Sequence, residues 1–429
     1  MNYFSTNRKS PSANFMEATI RGQAPDGGLY FPEFIPSLSP QLASSFRTLS
    51  RAEIGFEVIK PYVGNTIPEA DLFRIVEETV DFEFPLVNVA DGLYTLELFH
   101  GPTLAFKDVG ARFMSRCLGY FSRNHSQKVV VLVATSGDTG GAVASGFYDV
   151  AGVDVIILYP SGKVSSVQEK QLTTLGKNVR AVEVLGNFDD CQQLVKTAFA
   201  DKDLNEKLFL TSANSINVAR WLPQQFYYFF ASQQWPFKSP PVISVPSGNF
   251  GNICAGLLAH RSGLPVDHFV AACNANDVVP RFFDNQQFEP KPAVATISNA
   301  MDVGDPSNFV RILELFHHHF PDLNNSVSSY SFKDDETREE ISSVYQNEKY
   351  LLDPHGAVGL LGLKKYLRES GKTEGYFLET AHPVKFYDVV EPVIKEKVPI
   401  PLSIQTILPL QKTSTVIEAR YEELKKIIC

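Results

Sequence analysis

Lysine attacks a carbonyl only as its neutral amine, and Lys107 stands where that amine would be set free. It ends the run Leu98-Phe99-His100-Gly101-Pro102-Thr103-Leu104-Ala105-Phe106-Lys107, just ahead of Asp108. A Gly-Pro pair breaks the strand-like stretch from Tyr94 to Phe99, and the spacing from Asp108 to Leu118 predicts an amphipathic helix, so Lys107 falls at a helix entrance. Apolar surroundings there would lower its pKa, as Schiff-base chemistry requires. On this stretch alone a solvated surface lysine is the alternative.

Two glycine turns add a second kind of chemistry: Ala134-Thr135-Ser136-Gly137-Asp138-Thr139-Gly140 and Ser247-Gly248-Asn249-Phe250-Gly251-Asn252. Each follows a strand pattern and opens a helix pattern, where free backbone N–H groups and the helix dipole converge on an anion. Neither continues as Gly-Lys-Ser/Thr and neither has G-x-G-x-x-G spacing, which disfavours ATP and NAD. One reactive lysine with two anion cradles is what a phosphorylated aldehyde cofactor and an amino-acid carboxylate need, namely pyridoxal phosphate (PLP). A third polar stretch, Ser212 to Arg220, places Ser215 and Asn217 at a helix start and Arg220 within the next turn. Arg220 reads either as a fork for phosphate oxygens or as a surface arginine beside a cap. The consecutive His317-His318-His319 run lacks helical ligand spacing and reads as a solvated helix end, so no metal is expected.

The elements that must position these groups alternate. Strand patterns at Val129 to Ala134, Val153 to Tyr159, Val179 to Leu185, Leu208 to Leu210, Val242 to Val245, His268 to Cys273 and Gly375 to Leu378 are separated by helix patterns. Alternation of this kind predicts an α/β fold with mostly parallel sheets flanked by helices, and ligands at the carboxyl ends of the strands. The spacing predicts long helices over Ile216 to Gln234, Asn308 to Phe320, Lys385 to Glu396 and Val416 to Ile428, with Pro223 kinking the first and a proline-punctuated linker from Pro399 to Thr413.

With 429 residues, 44% of them hydrophobic, the chain can bury a large core in two or three domains or subdomains. A net charge of -9 without like-charged blocks argues against a nucleic-acid partner. The five cysteines have no CxxC spacing, and no apolar run reaches the length of a membrane span, so a cytoplasmic protein is expected.

At these residues the chain resembles the threonine synthases, PLP enzymes of the tryptophan-synthase-like fold, in their longer bacterial and fungal form. The resemblance runs from Asp26-Gly27-Gly28-Leu29-Tyr30-Phe31-Pro32 through His100 to Asp108, Ala134 to Gly140, Ser212 to Asn217, Ser247 to Asn252, Ser298 to Val303 and Thr380-Ala381-His382-Pro383. It implies a tryptophan-synthase-beta-like catalytic domain over 91–398 with a small mobile subdomain at about 115–190, behind an N-terminal extension domain over 1–90 and before a tail over 399–429. It implies that Lys107 carries PLP and then shuttles protons. Gly248, Asn249, Phe250, Gly251 and Asn252 would hold the cofactor phosphate, and Thr380 would face the pyridine nitrogen. Asp138 would lie near the phenolic oxygen, where an acid needs a proton or a compensating cation. Thr135, Ser136, Gly137 and Thr139 would cradle the substrate carboxylate, and Ser215, Asn217, Arg220 and Asn252 the substrate phosphate. The implied reaction takes O-phospho-L-homoserine and water to L-threonine and phosphate by γ-elimination and β-addition of water, in a monomer or homodimer. A phospho-lyase releasing 2-oxobutyrate and a non-catalytic binding protein are the rival readings.

Overall fold

Three sheets organise the chain in a computed structural model that describes residues 1–39, 42, 46–123, 127–135 and 137–429. At the N-terminus β1 (Asn2–Ser5) pairs antiparallel with β2 (Ala13–Asn14) and β3 (Tyr30–Pro32). A hairpin, β4 (Leu86–Ala90) and β5 (Leu93–Glu97), then enters a six-stranded sheet, while β6 (Val129–Ala134), β7 (Val153–Pro160), β8 (Val179–Leu185) and β9 (Phe209–Thr211) build a second one. The strands β10 (Val242–Pro246), β11 (His268–Cys273), β12 (Val327–Ser331) and β13 (Gly375–Glu379) return to the six-stranded sheet. Finally β14 (Thr415–Glu418) becomes the edge of the other.

The six-stranded order is β12-β11-β10-β13-β5-β4, parallel throughout except for β4 with β5, and the five-stranded order β14-β8-β7-β6-β9 is parallel throughout. Strands such as Val129–Ala134 are buried at every residue because helices cover both faces. In the larger sheet Glu97 lies opposite Glu379, and β10 runs beside β13 in the same direction. The loops after β5, β10 and β13 therefore leave one edge side by side. Among the described residues no helix is long and apolar enough to cross a membrane.

The structure corrects four predicted elements. The stretch Val416 to Ile428 is no single helix: β14 comes first, and the helix covers Tyr421–Ile428. Ile417 is buried against the strands of the five-stranded sheet, so tertiary packing of its β-branched side chain overrides the helical period. The predicted helix over Ile216 to Gln234 divides into Val218–Trp221, a 3-10 turn at Leu222–Gln224 containing Pro223, and Gln225–Gln234. The third, over Lys385 to Glu396, starts as a 3-10 turn at Pro383–Phe386 and becomes α-helical at Tyr387–Ile394. The fourth, over Asn308 to Phe320, ends at Leu315; exposed His317 and His318 have φ of 51° and 55°, and a separate helix begins at Phe320. The edge strand β12 was not anticipated, because its Val-Ser-Ser-Tyr-Ser run is mostly polar.

The tail clips onto the smaller sheet. Lys412 Nζ lies 2.6 Å from both Glu169 and Glu183, and the Thr413 N–H donates to the Thr173 carbonyl at 3.0 Å. Truncating Ile417 to Ala should cost about 2–4 kcal/mol in denaturant unfolding, the usual range for an emptied aliphatic site; a change under about 0.5 kcal/mol would mean that the strand contributes nothing to the sheet.

At the end of β13, Glu379 is fully buried. Its Oε1 accepts the Asp353 N–H at 2.6 Å, its Oε2 has no partner among the described residues, and a Cβ on Gly356 would come within 1.4 Å of that oxygen. Burial first, then the Asp353 carboxylate, raises its pKa well above the ordinary value. The native state thus binds a proton that the unfolded chain releases above the ordinary carboxyl range. The corresponding stability is complete below that range and is lost as pH rises through the native pKa. Glu379→Gln, which mimics the protonated acid, should melt higher than wild type at pH 8, with the gap closing towards pH 4. A gap independent of pH would show that Glu379 is ionised in the fold.

Candidate active site

Lys107 opens the helix Lys107–Ser122, and the side chain that follows it ties the helix start to the preceding loop. Asp108 accepts the Thr103 N–H at 2.9 Å and the Thr103 hydroxyl at 2.6 Å. Three further bonds stitch this segment to the one after β13: Leu98 N–H to Glu379 O at 2.9 Å, Phe106 N–H to Thr380 O at 2.9 Å, and His382 N–H to Leu104 O at 3.1 Å. They bring Lys107 and Thr380 together across the chain. The Thr380 hydroxyl has no partner among the described residues. Lys107 is half-buried; its Nζ lies 5.8 Å from the Phe106 ring and makes no ion pair or hydrogen bond among the described residues. Loss of solvent pulls its pKa down, the Asp138 carboxylate pulls it back, and Lys385 and Arg220 depress it further.

The first glycine turn follows β6. Asp138 begins the helix Asp138–Phe147 and is buried, with Lys385 Nζ 2.6 Å from its Oδ1 and Gln168 Nε2 at 2.9 Å. Burial alone would raise its pKa, but Lys385, Lys107 and Gln168 hold it below the usual carboxylate range. The compensating cation that an acid here requires is therefore Lys385, which also donates to the Thr103 carbonyl at 2.8 Å. The Thr135 hydroxyl accepts from the Gly137 and Gly140 amides at 3.1 and 2.9 Å and donates to the Gly137 carbonyl, so it shapes the turn and is not free to reach a carboxylate. Gly137 is needed for closeness, since a Cβ there would lie 2.6 Å from Gln168 Nε2. Thr139 is half-buried with no hydroxyl partner among the described residues. Ser136 lies outside the described residues.

The second turn follows β10. A Cβ on Gly248 would sit 2.6 Å from Met301 Cα, and Phe250 has a left-handed φ of 61°, which points the chain into the helix Gly251–Ser262. Among the described residues the amides of Gly248, Asn249, Phe250, Gly251 and Asn252 donate to no protein acceptor, an open cradle for an anion. Asn249 donates to Ser215 Oγ at 2.7 Å and accepts the Ser307 N–H at 2.7 Å; Asn252 donates to the Pro246 carbonyl at 2.8 Å.

Beside this cradle Arg220 is buried without a carboxylate partner among the described residues. One guanidinium nitrogen donates to the Ala213 carbonyl and its Nε has no partner. Burial lowers its pKa to about 10, which removes the surface reading. Asn308 Nδ2 is also unpartnered, at 3.3 Å from where a Cβ on Gly251 would lie. Asn217 departs from its expected role. Its amide donates to Thr19 O at 2.8 Å and Ser212 O at 3.4 Å while its oxygen accepts the Ala219 N–H, so both N–H groups are spent on ordering the loop. Arg311, also buried, holds that loop to the N-terminal sheet through Tyr30 O at 2.9 Å and Ile216 O at 2.6 Å. Sequence reading missed Lys385, Gln168, Asn308 and Arg311; none lies in a glycine turn, and Lys385 and Arg311 read as ordinary charges on helix patterns.

A desolvated free amine, an open amide cradle and unpaired buried donors fit PLP and a second anion. Known proteins agree. Residues 85–376 match the family of pyridoxal-phosphate dependent enzymes, residues 2–80 the threonine synthase N terminus and residues 356–428 the threonine synthase C-terminal family. Threonine synthase of Haemophilus influenzae is 43% identical over 94% of this chain and 93% of its own. The crystal structure of threonine synthase from Escherichia coli superposes with a TM-score of 0.92 at 40% identity, covering 100% of this chain and 99% of that one. The PLP-bound threonine synthase from Brucella melitensis does so with 0.93 at 35% identity, covering 100% and 98%. With its fold, its PLP-type site and its whole length matched in this way, the chain belongs to the threonine synthase family of pyridoxal-phosphate-dependent enzymes.

Proposed function

We propose that this site converts O-phospho-L-homoserine and water into L-threonine and inorganic phosphate. The observation that carries the reading is a site that combines an open amide cradle with a Lys107 amine and an Arg220 guanidinium, neither of which has an ion-pair partner among the described residues. PLP, when bound, supplies the electron sink that lets protons leave Cα and Cβ of the substrate.

The chain's own groups do the rest. The amides from Gly248 to Asn252 would hold the cofactor phosphate, and the Thr380 hydroxyl would serve the pyridine nitrogen as a neutral partner. Asp138 would serve the phenolic oxygen, with its charge met by Lys385. Among the described residues of the first turn, the Thr139 hydroxyl and the amides of Asp138 and Thr139 are the donors left for the substrate carboxylate. Ser215, Asn252 and Arg220 take the substrate phosphate, with Asn308 as an additional donor. Lys107 accepts the Cα proton as a neutral amine, holds it, and returns it before product leaves. A small subdomain at about 115–190 closing over the bound dianion would keep bulk water from the proton-transfer stages.

Purified protein with PLP should form threonine and phosphate in equal amounts. Formation of 2-oxobutyrate and ammonia in place of threonine would reassign it as a phospho-lyase. Lys107→Ala should lower turnover by about a thousand-fold or more while PLP still binds through its phosphate, as measured by equilibrium dialysis; normal turnover would exclude the amine. Arg220→Met should lower kcat/KM for phosphohomoserine by about 10- to 100-fold, the range for a lost charge-assisted bond. Unchanged kinetics would place the substrate phosphate elsewhere.

A further inference from the structure

Two lysines act on one buried carboxylate, yet only one of them is bonded to it. Lys385 Nζ is fully buried, 2.6 Å from Asp138 Oδ1 and 2.8 Å from the Thr103 carbonyl, whereas Lys107 Nζ makes no such bond among the described residues. The three segments involved have different origins. Asp138 follows β6 in the smaller sheet, and Thr103 and Lys385 follow β5 and β13 in the larger one. Lys385 is held rigidly. Its 3-10 turn is capped by His382, whose Nδ1 accepts the Val384 N–H at 3.0 Å and whose carbonyl accepts the Lys385 N–H at 3.0 Å.

Resting on the reading of function above, we propose that Lys385 is a positioning residue: by occupying Asp138 it denies the Lys107 amine a carboxylate partner and so keeps that amine available for proton transfer. Without Lys385 the nearest cation for Asp138 would be Lys107 itself, and a lysine tied to a buried carboxylate is a poor base. The charged and titratable groups around the pair act consistently. Lys385 and Arg220 disfavour the ammonium form of Lys107, and Asp138 favours it. Asp108 is buried and bonded to Thr103, and burial drives the His382 pKa down to about 4, which leaves its ring neutral. Among the described residues, Asp138 is the group that favours the Lys107 ammonium.

The test reads Lys107 directly in the full-length chain. With the cofactor removed, labelling of each lysine by acetic anhydride across pH 6–11, quantified by peptide mass spectrometry, gives the midpoint at which the Lys107 amine becomes reactive. In Lys385→Met the midpoint should rise by a unit or more, seen as about tenfold slower labelling at pH 8. In the double variant Asp138→Asn with Lys385→Met it should fall back towards wild type. A merely structural Lys385 predicts instead that both variants loosen the site and shift together towards an exposed lysine. An unchanged midpoint in Lys385→Met, or a double variant that stays with the single one, overturns the proposal. If circular dichroism shows Lys385→Met unfolded, Lys385→Gln, whose amide can still donate to the Thr103 carbonyl, replaces it: the proposal expects the same rise in the Lys107 midpoint, and an unchanged midpoint overturns it. A chain that binds no PLP would refute the reading of function and leave this measurement intact.

Discussion

The parallel pairing of β5 with β13 is the constraint from which the site follows. Thr95 and Phe377 are bonded across 282 residues of sequence, and the register sets Glu97 opposite Glu379. Parallel strands place their carboxyl ends on the same edge, so two loops that are remote in the chain start as neighbours. They stay neighbours: the Leu98 bond continues the parallel ladder by one step, and the Phe106 and His382 bonds pair Ala105 with Ala381 in antiparallel sense past the sheet. Lys107 and Thr380 cannot separate unless the sheet itself opens.

On that frame the molecule concentrates charge where water is scarce. Arg311 shows how a cation is accommodated structurally, with donors spent on the Tyr30 and Ile216 carbonyls and on Asn308, and its guanidinium 4.3 Å from the Trp221 ring centroid. Arg220 has the same burial but one carbonyl partner and an idle Nε. A buried ion with no ion-pair partner is costly, and a bound anion relieves that cost. The contrast separates the arginine that holds the fold from the one that awaits a ligand.

Most of the parallel core was legible because runs such as Val129 to Ala134 and His268 to Cys273 are apolar, short and bounded by glycine or polar turns. Lys107 was legible as the residue after a Gly-Pro break, and its place at the first position of a helix agrees with that spacing. Periodicity misled where two elements share one amphipathic pattern, as at Val416 to Ile428, and where a mostly polar edge strand, β12, has no pattern at all. The partner of Asp138 was illegible for a different reason. A lysine in Pro-Val-Lys-Phe announces nothing until β13 delivers it to the turn after β6.

The Lys412 clip and β14 have a consequence for how the molecule is made. The five-stranded sheet, which carries the first glycine turn, receives its edge strand from residues 415–418 of a 429-residue chain. During synthesis the strands β6 to β9 emerge long before that edge exists, and domains otherwise tend to fold from the N-terminus as they appear. The smaller sheet is completed only after β14 itself has been synthesised. Until then the exposed side of β8 is an unpaired edge, open to capture by other strands, and the tail acts as its built-in seal.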